Sequence, residues 1–127
     1  MITAARTAIY TLLKTVTDLG VSNVYFQEAP QATADPYCVF MEADQPSERD
    51  TGNYYDDIFL QITVYSKTLA TIETIISNVK TAFDVADLTI TGYVHDGINR
   101  VSTLTAPQDE EGFYSENVIY RIQLTEN

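Results

Sequence analysis

Between residues 57 and 84 a two-residue alternation gives way, across Ser66 and Lys67 alone, to a spacing of three and four. Ile58, Leu60, Ile62 and Val64 fall on one side and Phe59, Gln61, Thr63 and Tyr65 on the other, which is a β-strand with one fully apolar face. Leu69, Ile72, Ile75, Ile76, Val79 and Phe83 then form a single stripe opposite Thr71, Glu73, Ser77 and Lys80, the period of an amphipathic helix. With so short a link, both apolar surfaces are buried together when the helix lies across the sheet. No reactive grouping of side chains lies along this stretch. It predicts a scaffold, and a protein that presents surfaces to other proteins.

The remaining segments extend that scaffold. Residues 3–19 read as a helix, because Ile2, Ala5, Ile9, Leu12, Leu13, Val16 and Leu19 fall on one face and Gly20 supplies a left-handed stop. Residues 23–27 form a short strand candidate, followed by a loop over 28–36 that holds Pro30 and Pro36. Residues 37–42 are almost continuously apolar, which predicts a central strand buried on both faces. The polar stretch 44–55, with Pro46 and Gly52, reads as an extended or mobile connection outside the core. Residues 88–95 and 98–105 flank Asp96-Gly97, a dipeptide that predicts a two-residue hairpin with a primed turn. After an acidic loop, mobile over about 106–113, residues 114–125 alternate again, with Val118, Tyr120, Ile122 and Leu124 opposed to Ile119, Arg121, Gln123 and Thr125. The expected fold is α+β, a mainly antiparallel sheet covered by two helices in the order α-β-β-β-α-β-β-β, as one domain over 1–127.

Several function classes are disfavoured by what the chain is made of. The apolar runs fall far short of the roughly 18 residues of a membrane span, and the N-terminus lacks the basic and apolar regions of a secretory signal, so assembly in a cytoplasm is expected. Seven basic residues against 18 acidic ones give a net charge of −11, and Arg6, Lys14, Arg49, Lys67, Lys80, Arg100 and Arg121 are scattered singly, which argues against specific nucleic-acid binding. The excess acid serves solubility by self-repulsion, or forms a wall past which DNA slides without adhering. Cys38 is the only cysteine and reads as a buried structural thiol, so no disulfide within the chain and no multi-cysteine metal site is expected. His95, the sole histidine, abuts the expected turn and reads as a surface residue. Whether Cys38 and His95 meet across the sheet is open at this level, although a nucleophile within Tyr-Cys-Val-Phe-Met would lack solvent. The acidic groups Asp56-Asp57, Asp84 with Asp87, and Asp109-Glu110-Glu111 lack calcium-hand spacing, and a chain without tryptophan lacks the usual sugar platform. Five isolated glycines make no phosphate cradle. No enzyme activity, cofactor or metal is expected.

Nine tyrosines stand out, of which Tyr54 and Tyr55, beside the polar connection, read as interface residues, since the ring gives contact area at low entropic cost. Strand propensity alone accounts for others, such as Tyr25, Tyr37, Tyr65, Tyr93 and Tyr120.

The order of segments carries a resemblance. A first helix ending in Leu-Gly, a Val-Tyr-Phe strand and proline loop, a Pro-Tyr-Cys-Val-Phe strand, a polar connection, Phe-Leu-Gln-Ile-Thr-Val-Tyr-Ser leading into a helix, and a final strand after Asp-Glu-Glu-Gly-Phe-Tyr together resemble the tail terminator, or tail completion, proteins of long-tailed bacteriophages. The likeness spans about residues 5–124.

That resemblance implies a structural virion protein without catalytic residues. It implies a hexameric ring at the head-proximal end of the tail that ends tail-tube polymerisation and offers a surface for head-tail joining. The implied partners are further copies of the chain, the tail-tube protein and a head connector or head-completion protein, with DNA passing through the lumen unbound and no membrane involved. Residues 44–55 and 106–112 correspond to the variable contact regions. Arg49, Asp50, Tyr54, Tyr55 and Tyr114 are the expected subunit or tube contacts, and Asp109, Glu110 and Glu111 the expected channel-facing acids. Two other readings compete: a different head-tail connector or tail-tube subunit, and a small enzyme or ligand-binding domain with a pocket between sheet and helix.

Overall fold

The computed structural model describes residues 3–16, 23–29, 35–42 and 55–126. The elements are α1 (Thr3–Lys14), β1 (Val24–Phe26), β2 (Tyr37–Glu42), β3 (Tyr55–Ser66), α2 (Leu69–Phe83), β4 (Tyr93–Ala106) and β5 (Tyr114–Glu126). The strands form one sheet in the order β1-β2-β3-β5-β4, parallel between β1 and β2 and antiparallel elsewhere. This is the expected α+β architecture, with five strands among the described residues where six were expected.

The alternation read in the sequence decides which face is buried. Cys38 and Phe40 of β2 lie opposite Val64 and Ile62 of β3, and Ile62, Leu60 and Ile58 lie opposite Val118, Tyr120 and Ile122 of β5. These side chains are all buried in one cluster with Ala5, Ile9 and Leu13 of α1 and Ile72, Ile75, Ile76, Val79 and Phe83 of α2. Burial of so continuous an apolar face, at about 25 cal/mol per Å² removed from water, holds the two helices to the sheet. The other face, which carries Tyr37, Val39, Tyr65, Thr63 and Asn117, has no described helix packed on it.

Four boundaries depart from the sequence reading. The first helix ends at Lys14, and the N–H groups of Thr15 and Val16 reach only three residues back, to Leu12 and Leu13, which tightens and closes the last turn. The expected stop at Gly20 lies outside the described residues. Strand β2 is buried on both faces at Cys38, Val39 and Phe40, as expected, but the middle strand is β3. Strand β3 begins at Tyr55, three residues before the apolar alternation.

The fourth departure is the Asp96-Gly97 hairpin, which does not form. Residues Tyr93–Ala106 are one strand paired throughout with β5, and the register shifts once between His95 and Gly97 and again between Arg100 and Ser102. Neither Asp96 nor Gly97 has positive φ, which a primed turn needs. The dipeptide is absorbed as a bulge because both flanks find the same long partner in β5, while Leu88 and Ile90, expected in a strand, are buried as anchors of an irregular segment instead.

Candidate interaction surface

The catalytic parts can be located first. Cys38 is fully buried, and burial pushes its thiol up to about 12. It lies opposite Val64, which faces Glu116 of β5, whereas His95 lies opposite Leu124. Eight positions of β5 separate the two, roughly 26 Å at about 3.3 Å per residue, so they cannot act as nucleophile and base. His95 is not the surface residue expected, since its side chain is only 5% exposed. Its register partner Leu124 lies on the buried face, and there the Leu88 N–H donates to His95 Nδ1 at 3.2 Å, Asp87 Oδ1 stands 3.4 Å from the same nitrogen, and Nε2 is buried without a hydrogen-bond partner. Among the described residues no group of His, Cys, Asp and Glu could hold a metal ion. An open groove of about 520 Å³ between α1 and residues 87–91 is lined by Ala4, Thr7, Ala8, Thr11 and Leu12 on one side and Asp87 and Leu88 on the other.

A denser arrangement occupies the end of the sheet where β4 turns into β5. The connecting loop is closed by its own hydrogen bonds: Asp109 Oδ1 accepts from the N–H groups of Glu111 and Phe113, both at 2.9 Å, and Gln108 Nε2 donates to the Gly112 carbonyl at 2.9 Å. Gly112 has φ +91°, a conformation that side chains disfavour. The loop is a closed hydrogen-bonded turn. It delivers Phe113 edge-on to Tyr37, with ring centroids 5.7 Å apart, and Tyr37 stacks on Tyr65 at 4.8 Å. Lys67 Nζ lies 5.2 Å above the Phe113 ring. Burial raises the Tyr37 hydroxyl above its ordinary value, and Tyr65, Asp109 and Glu111 raise it further. Burial and Asp109 do the same to Tyr65.

The family model described as tail completion protein gp17 matches residues 7–124. The chain belongs to this tail completion family. Its members are structural proteins of phage tails. No curated protein matches the sequence. Among solved structures, a chain of the "Virion of native gene transfer agent (GTA) particle" superposes with a TM-score of 0.79 at 17% identity, covering 98% of this chain and 99% of that one. At that identity the likeness is one of fold.

The family match runs from residue 7, within α1, to residue 124, within β5, and so includes the loop and its aromatic support. Of the contact residues expected in this tail completion protein, Arg49, Asp50 and Tyr54 lie outside the described residues. Tyr55 opens β3 opposite Thr125, whereas Tyr114 opens β5 opposite Ser66. The two tyrosines therefore stand at opposite ends of the same strand pair. Tyr114 is half-buried and packs against the core. Asp109, Glu110 and Glu111, the expected channel-facing acids, are all exposed in this loop, and Asp109 also organises it. The sequence reading left Tyr37 and Tyr65 to strand propensity. Their signal was the outward phase of each strand, which becomes a pair only once the register is known.

Proposed function

We propose that this tail completion protein forms a ring at the head-proximal end of the tail, ends polymerisation of the tail tube and offers the surface on which the head is joined. The observation that carries the reading is the family match over residues 7–124. The fold-level likeness to a chain of a gene transfer agent virion supports a place in an assembled particle.

Cyclic closure needs two different complementary patches on each subunit. The sheet supplies two unlike edges, the three-residue β1 and the fourteen-residue β4, on opposite sides of the molecule. Strand β4 also exposes Val94, Val101 and Leu104. In this reading the partners are further copies, the tail-tube protein and a head connector or head-completion protein. DNA passes through the lumen without specific binding, which a net charge of −11 favours. The reading assigns the chain a structural role, and it is consistent with a Cys38 thiol that is buried and far from His95.

The test is the set of masses present as the purified protein is concentrated, alone and with tail tubes. A six-fold species, and tubes seen capped by electron microscopy, are expected. Tubes that lengthen when subunits are added would instead identify a tube subunit. Deletion of residues 47–53 should leave a folded monomer that forms no ring, and normal rings from that variant would remove this segment from the interface.

A further inference from the structure

The corner formed by the loop and the aromatic stack has the chemistry of a cation acceptor. Tyr37 and Tyr65 face each other across β2 and β3 with their rings inclined by 15°, on the face that carries no described helix. The cluster already places one cation over an aromatic ring, since Lys67 Nζ sits above Phe113. The charges of Asp109 and Glu111 reach the Tyr37 hydroxyl, and Glu110 lies between them in the exposed loop, so acid exceeds base at this corner.

We propose that this corner docks an arginine- or lysine-bearing segment of a different protein, with the tyrosine rings covering the side-chain cation and the loop carboxylates neutralising it. The inference rests on the assembly reading above, which supplies the class of partner. Charge complementarity selects that partner over a second copy: each copy carries a net charge of −11, and its seven basic residues are scattered singly. The site is also set before docking. The two hydrogen bonds to Asp109 fix the loop, so little ordering remains to oppose binding.

The experiment is a titration followed by NMR, using a short Gly/Ser peptide with three arginines and its counterpart with citrulline, which keeps the shape and removes the charge. The arginine peptide should shift the ring signals of Tyr37, Tyr65 and Phe113, and the citrulline peptide should not. Joint replacement Glu110→Lys and Glu111→Lys alters two exposed side chains that make none of the loop's hydrogen bonds, and it should weaken binding at least tenfold. Equal binding of both peptides, shifts centred elsewhere, or unchanged affinity in the double variant would overturn the proposal. Native masses of the same variant separate it from the ring reading. Rings that persist while peptide binding is lost support the docking site. Rings lost only in the double variant would place the corner between copies and overturn it. Peptide binding at this corner by a wild-type protein that never forms rings would support the site and count against the ring alone.

Discussion

The hydroxyl of Tyr120 donates a 2.7 Å hydrogen bond to Oδ1 of Asp84, the residue that ends α2. The other carboxylate oxygen lies 3.5 Å from Arg100 Nη1, and the Tyr120 ring packs against Phe83 with centroids 5.5 Å apart. One side chain of β5 thus anchors the last turn of α2 and, through Asp84, meets β4.

Tyr120→Phe should cost about 1 kcal/mol at neutral pH, the usual net worth of such a bond. Burial first, then the hydrogen bond and charge of Asp84, raise the Tyr120 pKa, and Arg100 opposes them. A raised pKa stabilises the fold fully below the ordinary tyrosine value of 10.0, and that contribution is lost as pH climbs above it. The deficit of the variant, measured by urea denaturation, should therefore hold below pH 10.0 and narrow as pH rises above it. A gap independent of pH would show that the hydroxyl is not held in its neutral form.

Cys38 should behave as an inert thiol, unlabelled by a disulfide reagent at neutral pH until the protein is unfolded. Its pKa is raised from 9.0 to about 12, so its stabilising contribution fades above pH 9. Wild type should lose about 1.4 kcal/mol per pH unit relative to Cys38→Ala across that window. Rapid labelling of the native protein would contradict the burial seen here.

Gly112→Ala and Gly97→Ala should differ. The first forces a side chain into φ +91° and should cost about 1 kcal/mol. The second meets only Gln123 Oε1, at 3.6 Å, without positive φ, and should change stability by less than about 0.5 kcal/mol. The opposite ranking in thermal or urea unfolding would restore a turn at Asp96-Gly97.

His95→Ala removes the acceptor of the Leu88 N–H and should cost about 1–3 kcal/mol, the penalty of an unsatisfied buried donor. Amide exchange at Leu88 should quicken in the variant. Exchange as slow as in wild type would mean that another group holds residues 86–90 in place.

Strand β3, helix α2 and strand β5 were legible because each repeats its period over three or more turns or alternations, and burial follows the period. Asp96-Gly97 misled because a strong local turn signal yielded to pairing with a strand more than twenty residues away, information that no window of sequence holds. The parallel pairing of β1 with β2 was equally invisible. The acidic loop was legible as a surface element, but its closed shape depends on Asp109 reaching two backbone N–H groups beyond it. Tyr37 and Tyr65 are 28 residues apart and meet only through the β2–β3 register.

Strand order and chain order disagree at one place, and that has a kinetic consequence. β5 is the last described strand to leave the ribosome, yet it lies between β3 and β4. Until it emerges, β4 has no neighbour and β3 has one free side. Closing the sheet is therefore a late event between residues far apart in sequence, the kind of contact that slows folding. The β4 edge takes its final form only after that insertion, so a partly synthesised subunit is withheld from any assembly that uses that edge.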